Sequence, residues 1–147
     1  MKTTEKKRRQ RGTAVVELAI VLPLLVFLAL MICEGSEFLR VHQIINNAAR
    51  EGARLSSLPE NENKTADIVT RVKDYVTANL SADELSTPIS VTVDQAAQVT
   101  AASGTMVKLS RVTVSYPYSL QFLPGIPFYG GASVVNLNAE ADFRNLY

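Results

Sequence analysis

A carboxylate stands in a place that needs an explanation. Glu17 is the only charged residue between Thr13 and Cys33, in the run T-A-V-V-E-L-A-I-V-L-P-L-L-V-F-L-A-L-M-I-C. Placing a carboxylate in hydrocarbon costs about 2.5–3.5 kcal/mol at mid-membrane, so an acid in such a stretch calls for a partner. Gly12 offers a route to one. Cleavage after Gly12 would create an α-amino group on Thr13, one helical turn from Glu17, and that ammonium could neutralise the acid within a subunit or across to a neighbour. The alternative is an uncleaved anchor whose Glu17 snorkels towards Arg9 or Arg11.

Other acids offer no chemistry of this kind. Glu60/Glu62 and Asp83/Glu84 fall in expected loops without a neighbouring nucleophile or base. One His and one Cys cannot build a metal cluster, and no glycine-rich phosphate cradle follows a strand. The expectation is therefore no enzyme, no cofactor, no nucleic acid and no small-molecule substrate.

The element that must position Glu17 is a membrane helix. At 1.5 Å per residue, residues 13–33 cover about 30 Å, the thickness of a hydrocarbon core. Ahead of it, residues 1–12 carry six basic side chains against Glu5, a balance that holds this end in the cytoplasm and sends the remaining chain outside. Removing residues 1–12 takes 6 of 15 basic and 1 of 14 acidic residues, leaving a mildly acidic chain. Pro23 lies mid-span, removes the hydrogen bond to the Ala19 carbonyl and is expected to kink the helix. Cys33, the sole cysteine, cannot form an intramolecular disulfide. It reads as an inert buried hydrophobe, or as one half of an intermolecular bridge.

The basic leader, Gly12, the four-residue gap to Glu17 and the apolar helix resemble the class III signal of type IV pilin-like proteins, which a membrane aspartic prepilin peptidase cuts after the glycine. Beyond the span come Glu34-Gly35 and then Asn47-Ala48-Ala49-Arg50-Glu51-Gly52-Ala53-Arg54. Together these are similar to the N-terminal domain of the TadE-like pseudopilins of the tight-adherence (Flp/Tad) pilus system, over residues 11–55. The sequence departs from the family pattern in two places: Leu18 stands where an aromatic is usual, and Glu34-Gly35-Ser36-Glu37 replaces the usual E-F-G-R. The resemblance implies a minor pseudopilin of the bacterial inner membrane, processed between Gly12 and Thr13. Glu17 and Pro23 would serve assembly, the prepilin peptidase, other pilins or pseudopilins and the Tad machinery would be partners, and adhesion would be the outcome. An uncleaved single-pass envelope protein with a scaffolding outer domain is the other reading.

The expected fold is α+β: a long N-terminal transmembrane helix continuing into a pilin-like periplasmic domain with a second helix and a small, about three-stranded antiparallel sheet. The parts are a leader (1–12), the span (13–33), a helix extension (34–55) and an ectodomain (56–147). In the extension, Phe38, Val41, Ile45, Ala48, Gly52 and Leu55 recur at steps of three and four. Small Ala48, Ala49, Gly52 and Ala53 would admit a close neighbour. Arg50, Glu51 and Arg54 read as a solvated face or as inter-subunit contacts. Residues 56–64 read as a loop, and Thr65 as the cap of a helix over 66–80 with Ile68, Val69, Val72, Tyr75, Val76 and Leu80 on one face. Alternation then gives strands at 89–93, 106–116 and 132–143. Residues 94–105 read as a long connection, and a change of phase near Ser110 suggests a bulge. Residues 116–131 hold five of the ten aromatics and three of the six prolines. A loop so apolar must be covered by its own domain or by a partner.

Overall fold

The computed structural model describes residues 3–81, 84, 87–100, 104–122, 131 and 133–146, with side chains from Thr13 onward. Helix α1 runs from Thr3 to Ser56 without interruption, passing through Pro23. Its 54 residues give a rod of about 80 Å. From Thr13 to Cys33 no residue is buried, and this part is long and apolar enough to cross a membrane. Cys33 is exposed on the isolated chain, so it is not covered by its own domain as the buried reading expected. The helix stops where Pro59 approaches, with Ser57 closing the last turn through its N–H to the Ala53 carbonyl and its hydroxyl to the Arg54 carbonyl.

The second half of α1 is one wall of the domain. Helix α2 spans Thr65–Asn79 and buries Ile68, Val72 and Val76, a stripe at intervals of four that only one helix face can present. It begins one residue earlier than expected: Lys64 occupies the cap position and Thr65 is the first helical residue, with no side chain capping the end. A short 3₁₀ turn at Pro59–Asn61 lies inside the expected loop.

Three antiparallel strands follow, β1 (Ser90–Thr100), β2 (Met106–Ser119) and β3 (Val134–Arg144), in the order β1-β2-β3. The expected α+β class is observed. Three strands cannot bury a face by themselves, and both helices lie on one side of the sheet. Val112, Val114, Tyr116 and Tyr118 of β2, with Leu137 and Ala139 of β3, close against Val41, Ile45, Ala48, Ala49 and Ala53 of α1 and the buried stripe of α2. On the other face Arg111 pairs with Asp142 at 2.8 Å and Glu140 at 3.2 Å.

Two strand limits differ from expectation for identifiable reasons. Residues 94–100 extend β1 rather than forming a connection, because Ala97 and Val99 pair with Leu109 and Val107. The irregularity near Ser110 accordingly sits on the opposing strand. Between Asp94 and Ala97, β1 carries an extra residue, while β2 alternates without a break and keeps Ser110 on the core side. At its far end β2 extends through Pro117, which pairs with Asn136 beyond the last β1 partner at Ser115. There β2 has a neighbour on one side only, so the missing N–H is tolerated.

Candidate functional site

The residues singled out by sequence fall at two levels along α1, and the structure adds a third between them. At the lowest, Gly12 and Thr13 lie within the helix, and Thr13 and Glu17 occupy the same face one turn apart. Glu17 is exposed on the isolated chain, and among the described residues it makes no ion pair. Pro23 stands a turn and a half further on. The single chain therefore leaves the acid and the apolar surface around it uncovered, with Ile20, Leu24 and Ile32 each more than 60% exposed.

At the highest level the octet Asn47 to Arg54 divides by side-chain size. Ala48, Ala49, Gly52 and Ala53 face the core, while Asn47, Arg50 and Arg54 are turned away from it. Gly52 has a physical requirement for its identity: a Cβ there would lie 2.5 Å from Val72 Cγ2 and 3.2 Å from Val112 Cγ1. Thus α1 touches α2 and β2 at one point where a methyl group has no room. Arg54 pairs with Glu51 at 2.7 Å on the solvent side, a surface contact of small energetic weight.

The middle level was not foreseen. Glu34, the first residue after the apolar run, is 4% exposed. Its carboxylate accepts a hydrogen bond from the Tyr118 hydroxyl (3.2 Å), from the Gln121 N–H (3.1 Å to each oxygen) and from the Phe122 N–H (2.7 Å). A buried carboxylate is tolerable when charge-assisted bonds replace its water. Phe38 abuts the Tyr118 ring edge-on at 5.6 Å. Burial and the neighbouring Glu34 charge push the Tyr118 phenol up to about 12.

A second tie lies just above. Arg40 reaches both oxygens of Glu84, at 2.8 and 2.7 Å, and also Glu37 on its own helix. Burial disfavours the Glu84 charge, but the Ser81 hydroxyl and N–H together with Arg40 outweigh it and hold the carboxyl below its ordinary value. The Glu84 carbonyl in turn accepts the Tyr116 hydroxyl at 2.7 Å. Glu84 thus ties α1 to the chain that follows α2. At the far end of the domain, Ser110, Gln95 and Asn145 gather on the Ser56 carbonyl and on one another.

Sequence alone gave no signal for these ties beyond the position of Glu34 at the end of an apolar run. Their partners on other elements are 32 to 88 residues away. Of the apolar loop, Tyr116 to Ser119 belong to β2 and Leu120 packs on the core, and residues 123–130 lie outside the described residues. Among the described residues no group of three or more His, Cys, Asp or Glu side chains could hold a metal ion.

No curated protein and no solved structure matches the chain. Residues 12–54, from the glycine before Thr13 to the last residue of the octet, match the family model described as TadE-like protein, so this part of the chain is similar to that family.

Proposed function

We propose that the protein is a minor pseudopilin of a Flp/Tad pilus: held in the bacterial inner membrane with its basic end cytoplasmic, cut by a prepilin peptidase between Gly12 and Thr13, and drawn into pilus assembly through α1. The observation that carries this reading is the composition of α1. One continuous helix joins an uncovered apolar half, interrupted by a single acid, to a half that is the wall of a folded domain. A bare apolar rod on a folded head is a subunit whose hydrophobic surface must be covered by lipid first and by other helices afterwards. The TadE-like match over residues 12–54 supports the same reading.

The role assigned to Glu17 comes from its position. After cleavage the Thr13 ammonium lies one turn away, and pairing the two lowers the cost of keeping either charge in lipid. If the pair forms between subunits, it also selects the stagger at which neighbouring helices bundle, as polar residues do in other helix assemblies. Adhesion by the finished fibre is the biological outcome.

The test is Glu17→Ala in cells that make the pilus. Insertion and cleavage should persist, while incorporation into sheared pili should fall at least tenfold, the equivalent of about 1.4 kcal/mol. Incorporation equal to wild type would remove the pairing role.

A further inference from the structure

Hydrocarbon ends near Cys33 on the membrane-spanning role proposed for α1, and a lipid contact by the ectodomain depends on that role. Glu34 is the next residue, and its carboxylate is held within 3.2 Å of the Tyr118 hydroxyl and of the Gln121 and Phe122 N–H groups. The backbone at 121–122 is therefore fixed at the height of the last apolar turn of α1, wherever that turn lies in the bilayer. Phe122 is 41% exposed there, and Ile32 on the turn below is 61% exposed. The sequence carries no charged residue between Arg111 and Glu140. An uncharged segment presenting an aromatic ring at this height has the chemistry of the membrane–water interface, where amphipathic and aromatic groups collect.

We propose that Phe122 is a second membrane contact of the ectodomain, an interfacial anchor that enters the headgroup region of the phospholipid bilayer and is tied to α1 by Glu34. The tie does two things. It satisfies a carboxylate that would otherwise face low dielectric, and it fixes the tilt of the sheet relative to the span, because the end of β2 is then held to both helix and lipid. Glu34 is a positioning residue in this arrangement, and Phe122 is the group that touches lipid.

The chain contains no tryptophan, so single-tryptophan variants of the full-length protein report each position alone. Phe122→Trp, Phe27→Trp in the span and Met106→Trp at the opposite end of the sheet, 71% exposed, are placed in phosphatidylcholine vesicles at high lipid-to-protein ratio, with and without lipids brominated high on the acyl chain. The Phe122→Trp emission should be blue-shifted and strongly quenched by bromine, Phe27→Trp should also be quenched, and Met106→Trp should be red-shifted and unaffected. Adding Glu34→Ala to Phe122→Trp should return its emission towards that of Met106→Trp. Quenching at Phe27→Trp with none at Phe122→Trp overturns the anchor alone. Loss of quenching at both overturns the membrane role of α1 beneath it. A blue shift at Phe122→Trp without quenching, growing as protein is added, assigns the surface to a second copy of the chain and likewise overturns the lipid contact. Quenching unchanged by Glu34→Ala overturns the tie.

Discussion

Two glycines of α1 allow one substitution to be tested with opposite signs. In a helix interior Ala is favoured over Gly by about 0.8–1 kcal/mol. At Gly35 a new Cβ meets nothing within 4 Å, so Gly35→Ala should keep that gain. At Gly52 it would meet Val72 Cγ2 at 2.5 Å and Val112 Cγ1 at 3.2 Å. Val72 sits on α2, where a β-branched side chain has essentially one rotamer and cannot turn aside. Overpacking of this kind costs about 1–3 kcal/mol. Set against the propensity gain, Gly52→Ala should be destabilised by about 0–2 kcal/mol and should lie about 1–3 kcal/mol below Gly35→Ala. For a domain of this size each kcal/mol moves the midpoint by about 4–8 °C. Thermal unfolding of the full-length protein in detergent, followed by the near-ultraviolet dichroism of its buried tyrosines, measures the difference. A Gly52→Ala midpoint at or above that of Gly35→Ala would show that the small-residue octet is not a packing device.

Other perturbations address the remaining ties. Glu84→Gln removes the charge that holds Arg40, Ser81 and the chain around them, and should cost about 1–2 kcal/mol at neutral pH. Because the folded-state value of Glu84 lies below its ordinary 4.5, its contribution is present above about pH 4.5 and fades as pH falls through the lower value. The wild-type midpoint should therefore drop on acidification more than that of Glu84→Gln. Tyr118 is shifted the other way, from 10.0 to about 12, so its contribution is intact below pH 10 and is lost as pH rises towards 12. An absorbance titration should show a late-ionising tyrosine, and Tyr118→Phe should abolish that step. Ser110→Ala leaves the buried Ser56 carbonyl and Asn145 Oδ1 without the shared hydroxyl that lies 3.1 and 2.8 Å from them. It should cost about 1–2 kcal/mol in urea unfolding.

The architecture could be read from periodicity because each element repeats its own signal. A 3.6-residue stripe from Val41 to Ala53 and a four-residue stripe from Ile68 to Val76 announce buried helix faces, and alternation from Val112 to Tyr116 announces a strand. What could not be read depended on distant partners. Residues 94–100 have the small, polar composition of a loop, yet Ala97 and Val99 become strand when Leu109 and Val107 lie opposite, since strand formation is largely decided by cross-strand neighbours. The same pairing explains why a change of hydrophobic phase on β2 marked a bulge on β1. Gly12, Glu17 and the octet stand out in the sequence because their spacing is local, and of these the small residues of the octet are found on the core face. Glu34 and Glu84 do not stand out, because their roles come from Tyr118, Gln121 and Arg40, brought to them by the meander and by the path of the chain after α2.

On the proposed function the chain is trimmed so that a cation stands one turn before Glu17. An intact mass on protein recovered from cells that carry the peptidase addresses it without any variant. The expected mass is that of a chain beginning at Thr13; a fully active protein that retains Met1 to Gly12 would rule out the trimming and leave a single-pass anchor bearing the same folded head.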